Sequence, residues 1–476
     1  MIKFWQRISF GVFILLFNFF PLSAQVTSQS LQVAFDQFSR KPALKHALVS
    51  FVVMDAQTGK LLFDSGGHTG MVPASTLKVI TAATVLETLS PSFRYTTEWL
   101  HTGSISKDGI LDGDLIIRGN GDPSLGSERL QPQAASDFIN QIVQTLKQKN
   151  IRQIKGRIIA DDLLFGGHQA PRGWTWQDMG NYYGAGVSSL NWRENQFGIQ
   201  LLAGEKVGSP TTLQSVTSTM STVEVINEVK TGPKSSGDKV YAFAAPYAQK
   251  IFLRGTYGLD LKKQILLAMP DPAIVLAQET EQALLSSGIS VRGGVGTAST
   301  RPPSSNLEEP SEQLLGSYAS PLLSELVFHF NQKSINLYGE AFLRTAFLHV
   351  NKEFNGDQAS EWMRDYWSKE IGIHPAELRI MDGSGLSPEN RVTPLALTKL
   401  MQHYKQKTWY PIFFESLPII NGMRMKSGTI GGVLAYTGYH TNTKGQHFVF
   451  SLLVNNYAGT AGVMRPQLWQ LLNQLK

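Results

Sequence analysis

Residues 76–89 contain no glycine or proline and are apolar on nearly every side of a helical projection. A helix of that kind cannot lie on a surface, so the chain has to build a core around it. One residue inside it is out of place. Lys78 follows three positions after Ser75, which opens the segment behind Pro73-Ala74. Side chains three apart share one side of a helix. Burial disfavours a charged ammonium and pulls a lysine toward the range of a usable base.

The rest of the composition narrows the chemistry. A chain of 476 residues, 42% hydrophobic with 25 Phe, 14 Tyr and 9 Trp, fills large cores. It is not disordered, collagen-like or a coiled coil. The 43 basic and 37 acidic residues leave a formal charge of +6, too thin over this length to argue for nucleic acid. With no cysteine there is no disulfide, thiolate nucleophile or cysteine-held metal. The sequence has no His-Glu-x-x-His, no phosphate-cradling Gly-x-x-x-x-Gly-Lys-Ser/Thr, no Gly-x-Ser-x-Gly and no dinucleotide glycine signature. Serine, lysine and carboxylates remain, and no metal or organic cofactor is expected.

The amino terminus carries an address. Lys3 and Arg7 precede an apolar run over residues 8–20, followed by Pro21-Leu22-Ser23-Ala24. This pattern predicts a secretory signal over residues 1–24. Thirteen helical residues span about 20 Å, short of a bilayer's hydrocarbon core. The expected location is exported, periplasmic or cell-envelope, with at most peripheral membrane contact.

Hydrophobic patterning predicts a β-hairpin over residues 47–55 and 60–64. From about 93 to 270 short β-like runs at 115–118, 158–160 and 199–202 alternate with turn-rich loops. Residues 208–239 read as polar loops with an exposed hairpin, and 299–311 as a proline-bearing linker. Helices are expected at 322–331 and 337–349, strands at 432–439 and 446–455, and a closing helix at 464–475. The expected fold class is α+β. One catalytic domain would be built from residues 25–93 and 271–476, with an accessory insertion over 94–270.

Ser-x-x-Lys alone is weak, because it recurs at Ser104–Lys107 and Ser236–Lys239 in polar, glycine-flanked stretches. Only Ser75 opens a long apolar helix, where exposed N–H groups favour developing negative charge. A serine activated by a lysine needs no histidine. Ser-x-x-Lys, Ser-x-Asn and Lys-Thr/Ser-Gly form the signature trio of penicillin-binding proteins and class A β-lactamases. Outside the proline-bearing linker, two candidates stand for each later element. Ser189-Leu190-Asn191 competes with Ser334-Ile335-Asn336, and Lys230-Thr231-Gly232 with Lys426-Ser427-Gly428. An oxyanion hole needs a backbone N–H just past the glycine. Pro233 follows Gly232 and has none, whereas Thr429 follows Gly428. Ser334 and Asn336 also lie between two apolar helices, a firmer support than a polar loop.

With Ser75, Ser334 and Lys426 in that order, the chain resembles the class C low-molecular-mass penicillin-binding proteins, the D-alanyl-D-alanine carboxypeptidase/endopeptidase family. Further matching stretches are Gly119-Asn120-Gly121-Asp122-Pro123, Asp161-Asp162, Trp174 and Trp176 before Asp178, and Pro270-Asp271-Pro272. Asn336-Leu337-Tyr338-Gly339-Glu340, Asp382-Gly383-Ser384-Gly385 with Asn390, and Ser416-Leu417-Pro418 continue the series. Three departures stand out. Pro388 occupies the place of a usual arginine, with Arg391 three residues on; Ser427 replaces a commoner threonine but keeps the hydroxyl; and the segment between Pro418 and Lys426 is short.

The resemblance implies a β-lactamase/transpeptidase-like antiparallel sheet flanked by helices, acting on peptidoglycan stem peptides and acylated by β-lactam antibiotics. Ser75 would attack, Lys78 would take its proton, and Ser334 with Asn336 would serve the leaving D-alanine. Lys426 would supply positive potential, while Ser427, Gly428 and Thr429 line the place of the terminal carboxylate. Asp178 would touch the amino group of the stem diamino acid. A β-lactamase or esterase on the same core, and a non-catalytic wall-binding homologue, are the competing readings.

Overall fold

A computed structural model describes residues 26–167, 169–217, 223–300, 311–354 and 358–476. The signal expected over 1–24 and most of the 299–311 linker lie outside the described residues.

Both ends of the chain build one antiparallel sheet. Strands Leu48–Asp55 and Leu61–Ser65 form the expected hairpin, and Leu48–Asp55 pairs along its full length with His447–Asn455. Outward from there lie Val433–Thr441, Met423–Ile430 and the two-residue strand Ile419–Ile420. Leu48–Asp55 and His447–Asn455 read as near-continuous apolar runs because both faces of the sheet are covered there. On one face, helices Ser28–Ser39 and Ala461–Leu472 bury Leu31, Phe35, Leu468 and Leu472 against Phe51, Phe450 and Leu452.

On the other face sits the helix Lys78–Leu89, with Val79, Ile80, Val85 and Leu86 at most 1% exposed. Each such side chain contributes about 1.5–3 kcal/mol relative to exposure, so the all-round apolar sequence is stable only here. The helices Leu323–Lys333, Asn336–Asn351, Gln358–Ile371, Pro394–Tyr404 and Tyr410–Ser416 close around it. This meets the α+β expectation.

The inserted region has a second core of its own, running from Trp99 to Ile289. A five-stranded mixed sheet, with Leu115–Arg118 and Ile158–Asp161 side by side near its middle, packs beneath the helices Ala134–Gln148 and Pro272–Ser286. The second core continues past the boundary expected at residue 270. Helix Pro272–Ser286 buries Ala273, Val275, Leu276 and Leu284 in this second core, and strand Glu312–Ala319 pairs antiparallel with Thr96–Thr102. Residues 272–286 and 312–319 thus pack with the insertion. The described residues of the polar 208–239 stretch form more strands than the expected exposed hairpin. It holds strands Thr212–Val216, Glu224–Asn227 and Lys230–Gly232, the last paired in parallel with Lys250–Gly258.

Candidate active site

Ser75 sits in a single 3-10 turn, Ala74–Leu77, that runs straight into the Lys78–Leu89 helix. It is not an N-cap: no side-chain cap closes this turn, so its hydroxyl is free for other partners. Ala74 adopts φ +46, a left-handed conformation that alanine rarely takes. The neighbouring backbone presses against this turn. A Cβ at Gly385 would lie 2.0 Å from Ala74 O, and one at Gly428 would lie 2.6 Å from Pro73 O and 2.9 Å from Ser75 N. Glycine at 428 therefore lets the Met423–Ile430 strand run directly alongside the Ser75 turn.

Lys78 is fully buried, and its Nζ has three close neighbours. Ser75 Oγ lies at 2.9 Å, Asn336 Oδ1 at 2.6 Å and the carbonyl of Ser384 at 2.5 Å. Burial pulls its ammonium down to about 7, against the opposing pull of Asp382 and Glu340. The amide of Asn336 is oriented from its other end, where Nδ2 donates to Tyr183 O at 2.7 Å. A carbonyl only accepts, so the amide oxygen must face Lys78.

The second lysine completes the group. Lys426, 1% exposed on the Met423–Ile430 strand, donates to Ser334 Oγ at 2.9 Å and to Ser427 O at 3.0 Å. Burial, then the nearby Lys78, hold it well below the usual lysine range. Ser334 caps helix Leu323–Lys333 with φ +58, the turn that sends the chain back into helix Asn336–Asn351. Ser75, Ser334, Asn336 and Ser427 are half-buried and Thr429 is exposed, whereas both lysines are covered. The hydroxyl-bearing residues are thus the more exposed members of the group and the two amines the covered ones.

The competing copies go elsewhere. Lys230–Gly232 is a strand of the insertion's own sheet. Asn191 serves the loop around it, donating to Asp122 O and accepting from Ser188 N. Asp178 lies one step from the cleft: it accepts from Thr175 Oγ1 at 2.7 Å and is hydrogen-bonded to the side chain of Tyr183. The Arg391 guanidinium is turned onto the carbonyls of Pro388 and Asn390, at 2.6 and 2.8 Å. Ser384 O and Tyr183 O are contacts that residue patterns did not expose, although the Asp382-Gly383-Ser384-Gly385 run marked the loop of the first.

Residues 31–473 match the family described as D-Ala-D-Ala carboxypeptidase 3 (S13). The chain belongs to this family. Among S13 relatives, it is 26% identical to a D-alanyl-D-alanine carboxypeptidase of an Actinomadura species, covering 90% of this chain and 81% of that one. It is 24% identical to the D-alanyl-D-alanine carboxypeptidase DacB of Haemophilus influenzae, covering 86% of each. The fold is shared with the crystal structure of penicillin binding protein 4 from Haemophilus influenzae, at a TM-score of 0.78 and 21% identity, covering 93% of this chain and 97% of that one. A β-lactam complex of that protein matches at 0.72. Among the described residues of this S13 chain, no helix is long and apolar enough to cross a membrane.

Proposed function

We propose that this S13 chain is an exported serine-type D-alanyl-D-alanine carboxypeptidase that acts on peptidoglycan stem peptides through an acyl-enzyme on Ser75. The observation that carries the reading is the three-way contact of Lys78 Nζ. A neutral amine has two hydrogens and one lone pair. Asn336 Oδ1 and Ser384 O can only accept, so they take the hydrogens and the lone pair is left for the Ser75 hydroxyl.

Ser75 attacks the carbonyl between the two terminal D-alanines as Lys78 removes its proton. The backbone N–H groups of Ser75 and Thr429 receive the developing oxyanion; one such donor is worth about 3–4 kcal/mol. Ser334, hydrogen-bonded by Lys426, passes a proton to the leaving D-alanine nitrogen, and the proton that Lys78 took from Ser75 makes good that loss. Ser427 and Thr429 meet the terminal carboxylate on the Met423–Ile430 strand, and Lys426 adds positive potential beneath it. Water then releases the acyl group. Asp178 and the Tyr183 turn face the third residue of the stem peptide, where a carboxylate suits a free amino group.

Mass analysis of muropeptides digested by the wild type and by Ser75→Ala tests this. Loss of terminal D-alanine with the wild type alone supports carboxypeptidase action; cleaved cross-links would add endopeptidase action. A fluorescent penicillin should leave a persistent adduct on Ser75. Fast turnover of the drug would replace the reading with a β-lactamase, and absence of both adduct and release with a non-catalytic wall-binding protein.

A further inference from the structure

Behind Lys78 lies a buried carboxyl that the scheme above does not use. Glu340, 2% exposed, stands one turn into helix Asn336–Asn351. Both of its oxygens lie 3.1 Å from Gly383 N, and the hydroxyl of Ser384 is also hydrogen-bonded to it. From the opposite side Thr81 Oγ1 donates to Gly383 O at 2.6 Å. Both polar backbone atoms of Gly383 are thereby pinned, and the next carbonyl along, Ser384 O, is the one that Lys78 meets. The helix and this loop touch backbone to backbone: a Cβ at Gly383 would lie 2.2 Å from Gly339 O.

A second carboxyl, Asp382, sits beside Glu340, and the two differ in what surrounds them. Asp382 accepts from Trp174 Nε1 at 2.9 Å, Gly385 N at 2.8 Å, Ser387 N at 2.6 Å and Asn390 Nδ2 at 2.9 Å. Glu340 has one N–H and a hydroxyl, in full burial, with Asp382, Lys78 and Arg344 as the charged groups around it. Burial first, then Asp382, push its carboxyl up to about 8. A carboxyl raised that far keeps its proton at neutral pH.

We propose that Glu340 is a positioning residue for Lys78: it holds the Gly383 N–H and the Ser384 hydroxyl so that Ser384 O takes one amine hydrogen and the lone pair faces Ser75. This rests on Lys78 being the base. An ionised Glu340 would draw the ammonium form of Lys78 and remove the lone pair, so the acid form is the competent one.

The test is the rate at which a fluorescent penicillin labels the full chain, from about pH 6 to about pH 9.5, in the wild type, Glu340→Gln, Glu340→Asp and Glu340→Ala. Asp is too short to reach the peptide and Ala cannot bond it, so both slow labelling about tenfold or more. Gln has the length and the acceptor, recovers most of that loss, and moves the alkaline limb to higher pH because nothing is left to ionise. A strut with no bearing on Lys78 would lower melting temperatures and leave the limb in place. Should Glu340→Ala fail to fold, Gln against Asp decides. Gln as slow as Asp, an unmoved limb, or Glu340→Ala labelling at the wild-type rate overturns this inference alone. A wild type that takes no label on Ser75 overturns the functional reading with it.

Discussion

Lys78 Nζ and Asn336 Oδ1 lie 2.6 Å apart, although 258 residues separate them in the chain. The contact ties the helix that opens with Lys78 to the helix that follows Ser334. It also makes Lys78 dependent on a residue of the insertion, since Tyr183 O fixes the orientation of the Asn336 amide.

The first prediction follows from the burial of Lys78. With its ammonium pulled down to about 7, the neutral base is scarce at pH 5 and predominant at pH 8. Below that midpoint the acylation rate should fall about tenfold per pH unit. Lys78→Met keeps the bulk but not the amine and should lose acylation by about 100-fold or more. Both are read from the initial rate of fluorescent-penicillin labelling. A rate that stays flat from pH 5 to pH 8 would remove Lys78 as the base.

The second concerns Gly428. Its missing side chain lets the Met423–Ile430 strand lie against Ser75 N and Pro73 O, both backbone atoms that cannot swing aside. Gly428→Ala should push strand and turn apart, at a cost of about 1–3 kcal/mol in stability. Labelling of Ser75 should be nearly abolished while the chain remains folded. Urea unfolding alongside the labelling assay separates the two effects.

Trp174 gives the third. Its indole N–H donates to buried Asp382 Oδ2 from the insertion, across to the loop that presents Ser384 O. Trp174→Phe keeps most of the ring but leaves a buried carboxylate oxygen short of a donor, costing about 1–3 kcal/mol. The melting temperature should drop accordingly, with a smaller decrease in acylation.

How much of this was open to a sequence reader depends on distance along the chain and on whether a side chain or the backbone does the work. Ser75 and Lys78 were legible because both lie in one apolar segment, and the 47–64 hairpin because its strands are adjacent. Choosing Lys426 over Lys230 needed only the missing N–H of Pro233. Residues 272–286 lie beyond the boundary expected at 270 yet pack in the second core, because apolar residues do not say which sheet they cover. Strand Glu312–Ala319 pairs with Thr96–Thr102, more than 200 residues away, and no local pattern carries that register. Ser384 O and Tyr183 O could not be read at all, since any residue supplies a carbonyl. Only the folded backbone aims it.

The last prediction separates specificity from acylation. Asp178 is held by Thr175 Oγ1 and bonded to the Tyr183 side chain, beside the carbonyl that orients Asn336. If its carboxylate meets the free amino group of a diamino acid in the stem, Asp178→Asn should raise KM for such a pentapeptide. The expected increase is about tenfold, the scale of a partly exposed charge-assisted bond. For a pentapeptide with an uncharged third residue KM should change little, because no partner is lost there. D-alanine release from the two peptides, compared in wild type and variant, gives the ratio directly. Equal increases for both would mean that Asp178 acts only by supporting the Tyr183 turn.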